Sequence, residues 1–153
     1  MLVTRRTLFA TLFTMGLCGA AMAGTPSTGL GQAWPNAQDQ SLSPSFHAYV
    51  FSIAGIRYIQ INDTAGNVLG SVGTSGGQFI VLPIGRFAQL VSTPQQAAAT
   101  TSSATPTASP TQVYNDGSTV IVATPMSDGT TQLKAATASM CSDPTVCGGQ
   151  GAA

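Results

Sequence analysis

The sequence predicts an all-β protein, a small antiparallel meander or sandwich with a disordered N-terminal leader and a long low-complexity loop. Two observations support this prediction. Four short apolar runs recur about every ten residues between positions 46 and 82, separated by glycine-bearing turns, which is typical of an antiparallel meander. Two further runs flank Asn115-Asp116-Gly117, and Asp-Gly can supply the two positive-φ positions of a type I′ hairpin turn.

The first 23 residues have the three parts of a cleavable, bacterial-type signal peptide. Arg5 and Arg6 give a positive start, and an apolar stretch follows from Leu8 to Ala21. This stretch is shorter than the roughly 20 residues of a membrane span, so we expect cleavage after Ala23, with Gly24 as the first mature residue. The protein is then periplasmic or secreted, by the general secretory or the twin-arginine route.

The charge of the mature chain excludes two classes of partner. Charged residues make up 7% of the sequence and none of them is glutamate, against about 25% charged residues in ordinary soluble domains. Loss of the signal peptide leaves three cations and five aspartates, a net charge of −2. Three scattered cations neither neutralise several phosphates nor hold a protein on an anionic membrane. We therefore expect no nucleic-acid partner, and no membrane partner after cleavage.

Residues 24–45 are rich in Gly, Pro, Ser, Gln and Asn and show no apolar period, which predicts an extended, flexible leader. Trp34, the only tryptophan of the chain, lies within it. We interpret Trp34 as packing against the edge of the predicted sheet. The alternative is that its ring stacks on a ligand.

Residues 46–91 form the predicted meander, and turn-forming residues mark where each strand ends. Neither face of the first run is cleanly polar, so we expect that strand to be covered on both sides. Residues 85–91 fit either a short helix or a fifth strand. The four predicted strands are Phe46–Ile53, Ile56–Asn62, Val68–Val72 and Gln78–Leu82.

Residues 92–112 differ in kind from the rest, because all 21 of them are Ser, Thr, Pro, Ala or Gln. Without bulky apolar side chains this tract cannot offset the entropy lost on ordering, so it predicts a disordered or extended linker. An O-glycosylated stalk has a similar composition. A second β unit follows at residues 113–138. The two β regions total only about 70 residues, and so small a core favours one shared sheet or sandwich.

Cys141 and Cys147 form an even pair once Cys18 leaves with the signal peptide. They lie in the predicted C-terminal tail, residues 139–153. In an oxidising compartment so close a pair predicts a disulfide, which closes a short ring and contributes about 2 kcal/mol. Their spacing fits neither C-x-x-C redox chemistry nor the usual zinc ligands.

No group of residues in the sequence amounts to an active site. His47 is the only histidine, and its place within a strand-like run favours a structural role over that of a general base. No G-x-S-x-G elbow is present, and Gly73–Gly77 lacks the Lys or following helix of a phosphate loop. Turn formation explains Asp63, Asp116 and Asp128 better than weak Ca²⁺ binding does. We predict no catalytic residue, no cofactor and no metal ligand.

The sequence therefore favours an exported, non-catalytic protein that is envelope-associated and has a binding or structural role. Its expected partner is another envelope protein, docked through an exposed strand edge such as that of residues 46–53. Two alternatives stay open. One is a small secreted hydrolase that uses His47 with a Ser or Asp brought close by folding. The other is a surface adhesin or stalk protein.

Overall fold

The computed structural model describes residues 26–142 of the chain. Within them, eight strands form two four-stranded sheets, ordered β1-β2-β3-β4 and β5-β8-β7-β6, which confirms the all-β prediction. Two short 3-10 turns span Ala88–Leu90 and Ala138–Ser142. The strands are β1 Phe46–Ile53, β2 Ile56–Asp63, β3 Val68–Ser75, β4 Gln78–Leu82, β5 Val91–Ser92, β6 Thr111–Asn115, β7 Thr119–Pro125 and β8 Thr131–Thr137.

The first sheet is an antiparallel meander whose first and third connections are two-residue turns, whereas four residues, 64–67, join β2 to β3. Ala54 and Gly55 connect β1 to β2 with φ of 51° and 80°, and Gly76 and Gly77 connect β3 to β4 with φ of 57° and 79°. Positive φ at both central residues matches the right-handed twist of the flanking strands. As its non-alternating pattern predicts, β1 has buried residues on both faces, since Ala48 and Tyr49 point to opposite sides and are both buried.

The hairpin at Asp116-Gly117 forms as predicted, but its turn differs from the predicted type. Of the two residues only Gly117 has positive φ. The Asp116 carboxylate accepts hydrogen bonds from the backbone N–H groups of Ser118 and Thr119, at 2.9 and 2.7 Å. With these bonds the loop has three residues, 116–118, one more than a type I′ turn, and Asp116 does not need a positive φ.

The two sheets share one hydrophobic core. Residues 85–91 provide both elements that the sequence allowed, because the 3-10 turn Ala88–Leu90 leads directly into β5, which pairs parallel with β8. A Cβ on Gly70 of β3 would lie 2.7 Å from Val91 and 2.9 Å from Leu133 of the opposite sheet. The sheets therefore approach closely here, with no room for a side chain. Core residues of both sheets include Ala48, Ile59, Ile61, Phe79, Val113, Ile121, Ala123 and Ala135.

A polar cluster links the sheets at one end of the core. Arg57 of β2 donates a hydrogen bond to the carboxylate of Asp116, beyond the end of β6, and the Tyr114 hydroxyl donates to the same oxygen at 3.0 Å. Burial, followed by this bond to Asp116, raises the pKa of Tyr114 to about 12. Burial alone would raise the pKa of Asp116, but the backbone donors, Tyr114 and Arg57 together lower it.

Two segments outside the strands run along the sandwich. Gln40 donates its backbone N–H to the Ala48 carbonyl of β1 at 2.8 Å, and Leu42 donates to the Val113 carbonyl of β6 at 3.0 Å. The stretch 39–42 thus joins an edge strand of each sheet, and we call it the clamp. Residues 93–110 connect β5 to β6, and within them the stretch 102–107 follows the β7–β8 turn, where Pro106 bridges to Met126. The predicted flexibility of the leader and disorder of this loop stay predictions.

Candidate binding site around Trp34

The leader crosses the outer face of the first sheet, and a buried glutamine of β2 holds it there. Gln60 is 0% exposed. Its Oε1 accepts a hydrogen bond from the Gly31 N–H at 2.6 Å, and its Nε2 donates to the Gln32 carbonyl at 2.8 Å. A buried amide without hydrogen-bond partners costs free energy. Displacement of the leader would therefore destabilise the sheet.

A second buried amide continues this row. Asn62 donates to the Ala33 carbonyl at 2.7 Å and to the Gly66 carbonyl at 3.3 Å, and its Oδ1 accepts a bond from Gln60 at 2.8 Å. Together the two amides bind three consecutive leader residues, 31–33. The backbone that enters Trp34 is therefore held in one place.

Trp34 rests on the turn between β2 and β3. A Cβ on Gly66 would lie 2.7, 2.8 and 2.9 Å from the indole Cε2, Cζ2 and Nε1 atoms. Because the middle atom of the three is the nearest, this point lies above the ring plane, so one flat face of the indole packs on Gly66. The ring of His47 packs beside it, inclined at 67° to the indole, with 5.5 Å between the centroids.

Most of the Trp34 side chain nevertheless faces solvent, with the residue 60% exposed. The sequence predicted packing against a sheet edge, whereas the ring packs on Gly66 of the β2–β3 turn and beside His47 of the edge strand β1. A ligand-stacking role needs accessible indole surface, and the exposed 60% of Trp34 provides it. The two interpretations of Trp34 are therefore compatible.

His47 and Asp39 tie the leader to β1 beside the indole. His47 Nδ1 lies 2.7 Å from Asp39 Oδ2, and its ring stacks on that of Tyr49 at 6.0 Å. Asp39 Oδ1 accepts the backbone N–H groups of Ser41 at 3.0 Å and Ala48 at 2.9 Å. We call Trp34, Asp39, His47 and Tyr49 the aromatic site.

The hydrogen bonds of Asp39 stabilise its charged form. Burial by itself raises the pKa of this carboxyl, but the bonds from His47, Ala48 and Ser41 outweigh burial and hold the pKa below its ordinary value of 3.8. Burial, with the nearby Asp39 charge, raises the pKa of Tyr49. The pKa values of three more aspartates are lowered by hydrogen bonds, namely Asp63, Asp116 and Asp128.

We expect the protein to lose stability in acid, and Asp39→Asn to lose less. A carboxyl whose pKa is lower in the folded state stabilises the fold above its unfolded pKa, and this contribution disappears as the pH falls through the folded pKa. For Asp39 we expect about 1 kcal/mol, because its pair with His47 is partly exposed. Urea unfolding at about pH 7 and about pH 3 measures the difference. Equal acid sensitivity of the wild type and Asp39→Asn would contradict the prediction.

The structure brings together only part of the constellation that the hydrolase alternative requires. His47 and Asp39 have the contact of a base and its orienting acid, but a nucleophile must also reach the base. Within residues 26–142, no serine hydroxyl is hydrogen-bonded to His47. The hydrogen bond between His47 Nδ1 and Asp39 also ties the leader to β1. His47 therefore has a structural role.

The remaining candidate residues of the sequence are those of the cleavage site, the two cysteines and the turn aspartates. Ala23, Gly24 and Cys147 fall outside the described residues, so the cleavage site and the Cys141–Cys147 disulfide stay predictions. Cys141 itself lies in the 3-10 turn that follows β8. Asp63 accepts the N–H groups of Ala65 and Asn67 within its own turn, the role that the sequence predicts. Between positions 26 and 142, His, Cys and Asp side chains do not gather in threes as a metal site requires.

Sequence reasoning missed the two residues that build the site, Gln60 and Asn62. Their signal was present, because both amides alternate with Ile59 and Ile61 in a strand. Alternation normally marks a solvent-facing row. Here Gln60 and Asn62 face the leader, for which the sequence predicts flexibility.

Comparison with known proteins yields no relative: no protein-family model matches the chain, and no curated protein or solved structure is significantly similar to it. From Pro26 to Ser142, no helix has the length and apolar character that a membrane span requires.

Proposed function

We propose that this chain is an exported, non-catalytic binding module of the cell envelope, and that the aromatic site is its binding surface. One observation carries the proposal. Two buried amides and a His–Asp pair hold the leader, and what they hold in place is a single exposed indole.

The energetics of Trp34 support a binding role. An exposed indole forgoes the stabilisation that burial of so large an apolar side chain provides. Rigid aromatic side chains are also the commonest anchors of binding interfaces, because little side-chain entropy is lost when they are covered. Trp34 has both properties, since it is open to solvent and is fixed from beneath by Gly66.

A protein partner has a second place to dock on β1. The clamp already occupies Ala48, whose carbonyl accepts from Gln40. The backbone N–H and C=O groups of successive residues in a strand point alternately to either side. Those of Val50 and Ser52 therefore point away from β2, as those of Ala48 do. We propose this half of β1 as the edge at which an envelope protein adds a strand. Ile53, at its end, is exposed.

Export and oxidation complete the proposal. The N-terminal sequence supports cleavage before Gly24, and an oxidising compartment favours a disulfide between Cys141 and Cys147. Mass spectrometry of the mature protein, with and without reductant, tests both. We expect a chain that begins at Gly24 and gains the mass of two hydrogen atoms on reduction. Retention of the first 23 residues, or two free thiols, would contradict the corresponding part.

The binding role is tested by co-sedimentation of the purified mature protein with isolated bacterial envelope fragments. We expect retention of the wild type and a loss of about tenfold or more for Trp34→Ala, the size of a binding hot spot. Ile80→Ala is the matched control, because Ile80 is 54% exposed and its strand, β4, is at the far edge of the sheet from β1. If Trp34→Ala sediments as the wild type does, the aromatic site is not the binding surface.

A further inference from the structure

We propose that the exposed indole of Trp34 binds a neutral sugar ring of an envelope glycan. This inference rests on the proposed function and names the ligand class of the same site. It follows from the shape of the surface, from its charge and from the hydrogen-bonding groups beside it.

The surface is a flat aromatic platform that is largely exposed. Gly66 lies against one face of the indole and the ring of His47 is inclined to it at 67°, yet 60% of Trp34 is exposed and offers indole surface to a ligand. A pyranose ring has a face of C–H groups that matches an aromatic ring in size and flatness. Covering the indole with such a face removes apolar surface from water without burying a hydroxyl group.

The charge of the site favours a neutral ligand over a charged one. Within the described residues, the cations are Arg57, Arg86 and Lys134. Arg57 bonds to Asp116, and Arg86 lies over Phe87 and near Asp63, whose negative charge it offsets. None of the three is bonded to Trp34, Asp39, His47 or Tyr49, so an anion on the indole has no paired counter-charge. The carboxylate of Asp39 already accepts bonds from His47, Ser41 and Ala48. A cationic ligand would therefore compete with existing partners for that charge.

Two polar atoms beside the platform are available to sugar hydroxyls. In the described part of the chain, His47 Nε2 has no partner, because only Nδ1 bonds to Asp39. The side-chain oxygen of Asn67 is also without a partner, because only its Nδ2 is used, donating to Asp63 at 2.8 Å. Asn67 directly follows Gly66, on which the indole rests. An aromatic face with a few polar groups at its rim is the usual composition of a small-ligand site.

The single tryptophan makes the test specific to this site, since all indole fluorescence of the protein comes from Trp34. The mature protein is titrated with laminarin, galactomannan and chitohexaose as neutral glycan probes, and with tetramethylammonium as a cationic probe. We expect at least one glycan to shield the indole from acrylamide quenching. Asn67→Ala should weaken that binding about fivefold or more, the loss expected for one hydrogen bond. Ile80→Ala should bind as the wild type does.

Trp34→Ala has no indole, so its binding is measured by affinity electrophoresis in gels that contain the same polysaccharides. Loss of the wild-type retardation in this variant, with retention in Ile80→Ala, supports the proposal. If tetramethylammonium shields Trp34 and no glycan does, the ligand is a cation and the sugar assignment is wrong.

The outcome with envelope fragments separates this inference from the proposed function. If no glycan binds but wild-type protein still sediments with the fragments in a Trp34-dependent way, the sugar assignment fails and the binding role stands. If neither glycans nor fragments bind through Trp34, both fail.

Discussion

Replacing Gly85 by alanine is expected to lower the free energy of unfolding by about 4 kcal/mol, the sum of backbone strain and overpacking. Gly85 has φ of 111°, and a Cβ there would lie 2.6 Å from backbone atoms of Leu69 and Gly70. The segment cannot shift away. The next two residues donate their N–H groups to the carbonyls of Val68 and Leu69, both at 2.8 Å.

Gly117→Ala is the matched control for this variant. Gly117 also has positive φ, at 82°, but a Cβ there would meet no atom within 4 Å. It therefore carries only the conformational part of the cost, about 1 kcal/mol. Urea unfolding of both variants separates the two contributions. Equal losses would show that close packing of Gly85 on β3 contributes nothing.

Replacing Gln60 by leucine is expected to destabilise the protein by about 3 kcal/mol and to release the leader. Leucine fills a similar volume but leaves the Gly31 N–H, the Gln32 carbonyl and the Asn62 Oδ1 without their partner. Each buried group left unsatisfied costs about 1–3 kcal/mol, and part of this cost is relieved when the leader moves into water. Urea unfolding gives the first effect, and acrylamide quenching of Trp34 gives the second.

Gln38→Leu makes the same substitution at an exposed position of the leader and should change neither quantity appreciably. The prediction concerns the difference between the two variants. If Gln60→Leu keeps both the stability and the Trp34 quenching of the wild type, the buried amides do not hold the site.

The strands of the first sheet could be predicted from the sequence because their signals are local. The predicted bounds of β1 and β4 agree with the structure, and β2 is one residue longer than predicted. The predicted third strand ends at Val72, whereas β3 continues to Ser75. Residues 73–75 have weak strand propensity, and their pairing with Tyr58 and Phe79 on the two neighbouring strands overrides it.

The aromatic site could not be predicted because its contacts are distant in sequence. Gln60 and Asn62 bind residues 28 and 29 positions earlier in the chain. Nothing in a Gly- and Pro-rich segment indicates which buried groups it will satisfy. His47 stands out in the sequence as the only histidine, but its pairing with Asp39 depends on the path of the leader across β1. The parallel pairing of β5 with β8 escaped prediction for the same reason.

The clamp has a consequence for the behaviour of the protein in solution. It lies across β1 and β6, the outermost strands of their sheets on one side of the sandwich. Unpaired outer strands are templates for fibril-like growth, in which one molecule extends the sheet of the next. A chain trimmed beyond Leu42 would present both of these strands bare and side by side. The few residues that precede the first strand therefore shorten the unpaired edge that a second molecule could extend, since they already bond to Ala48 and Val113.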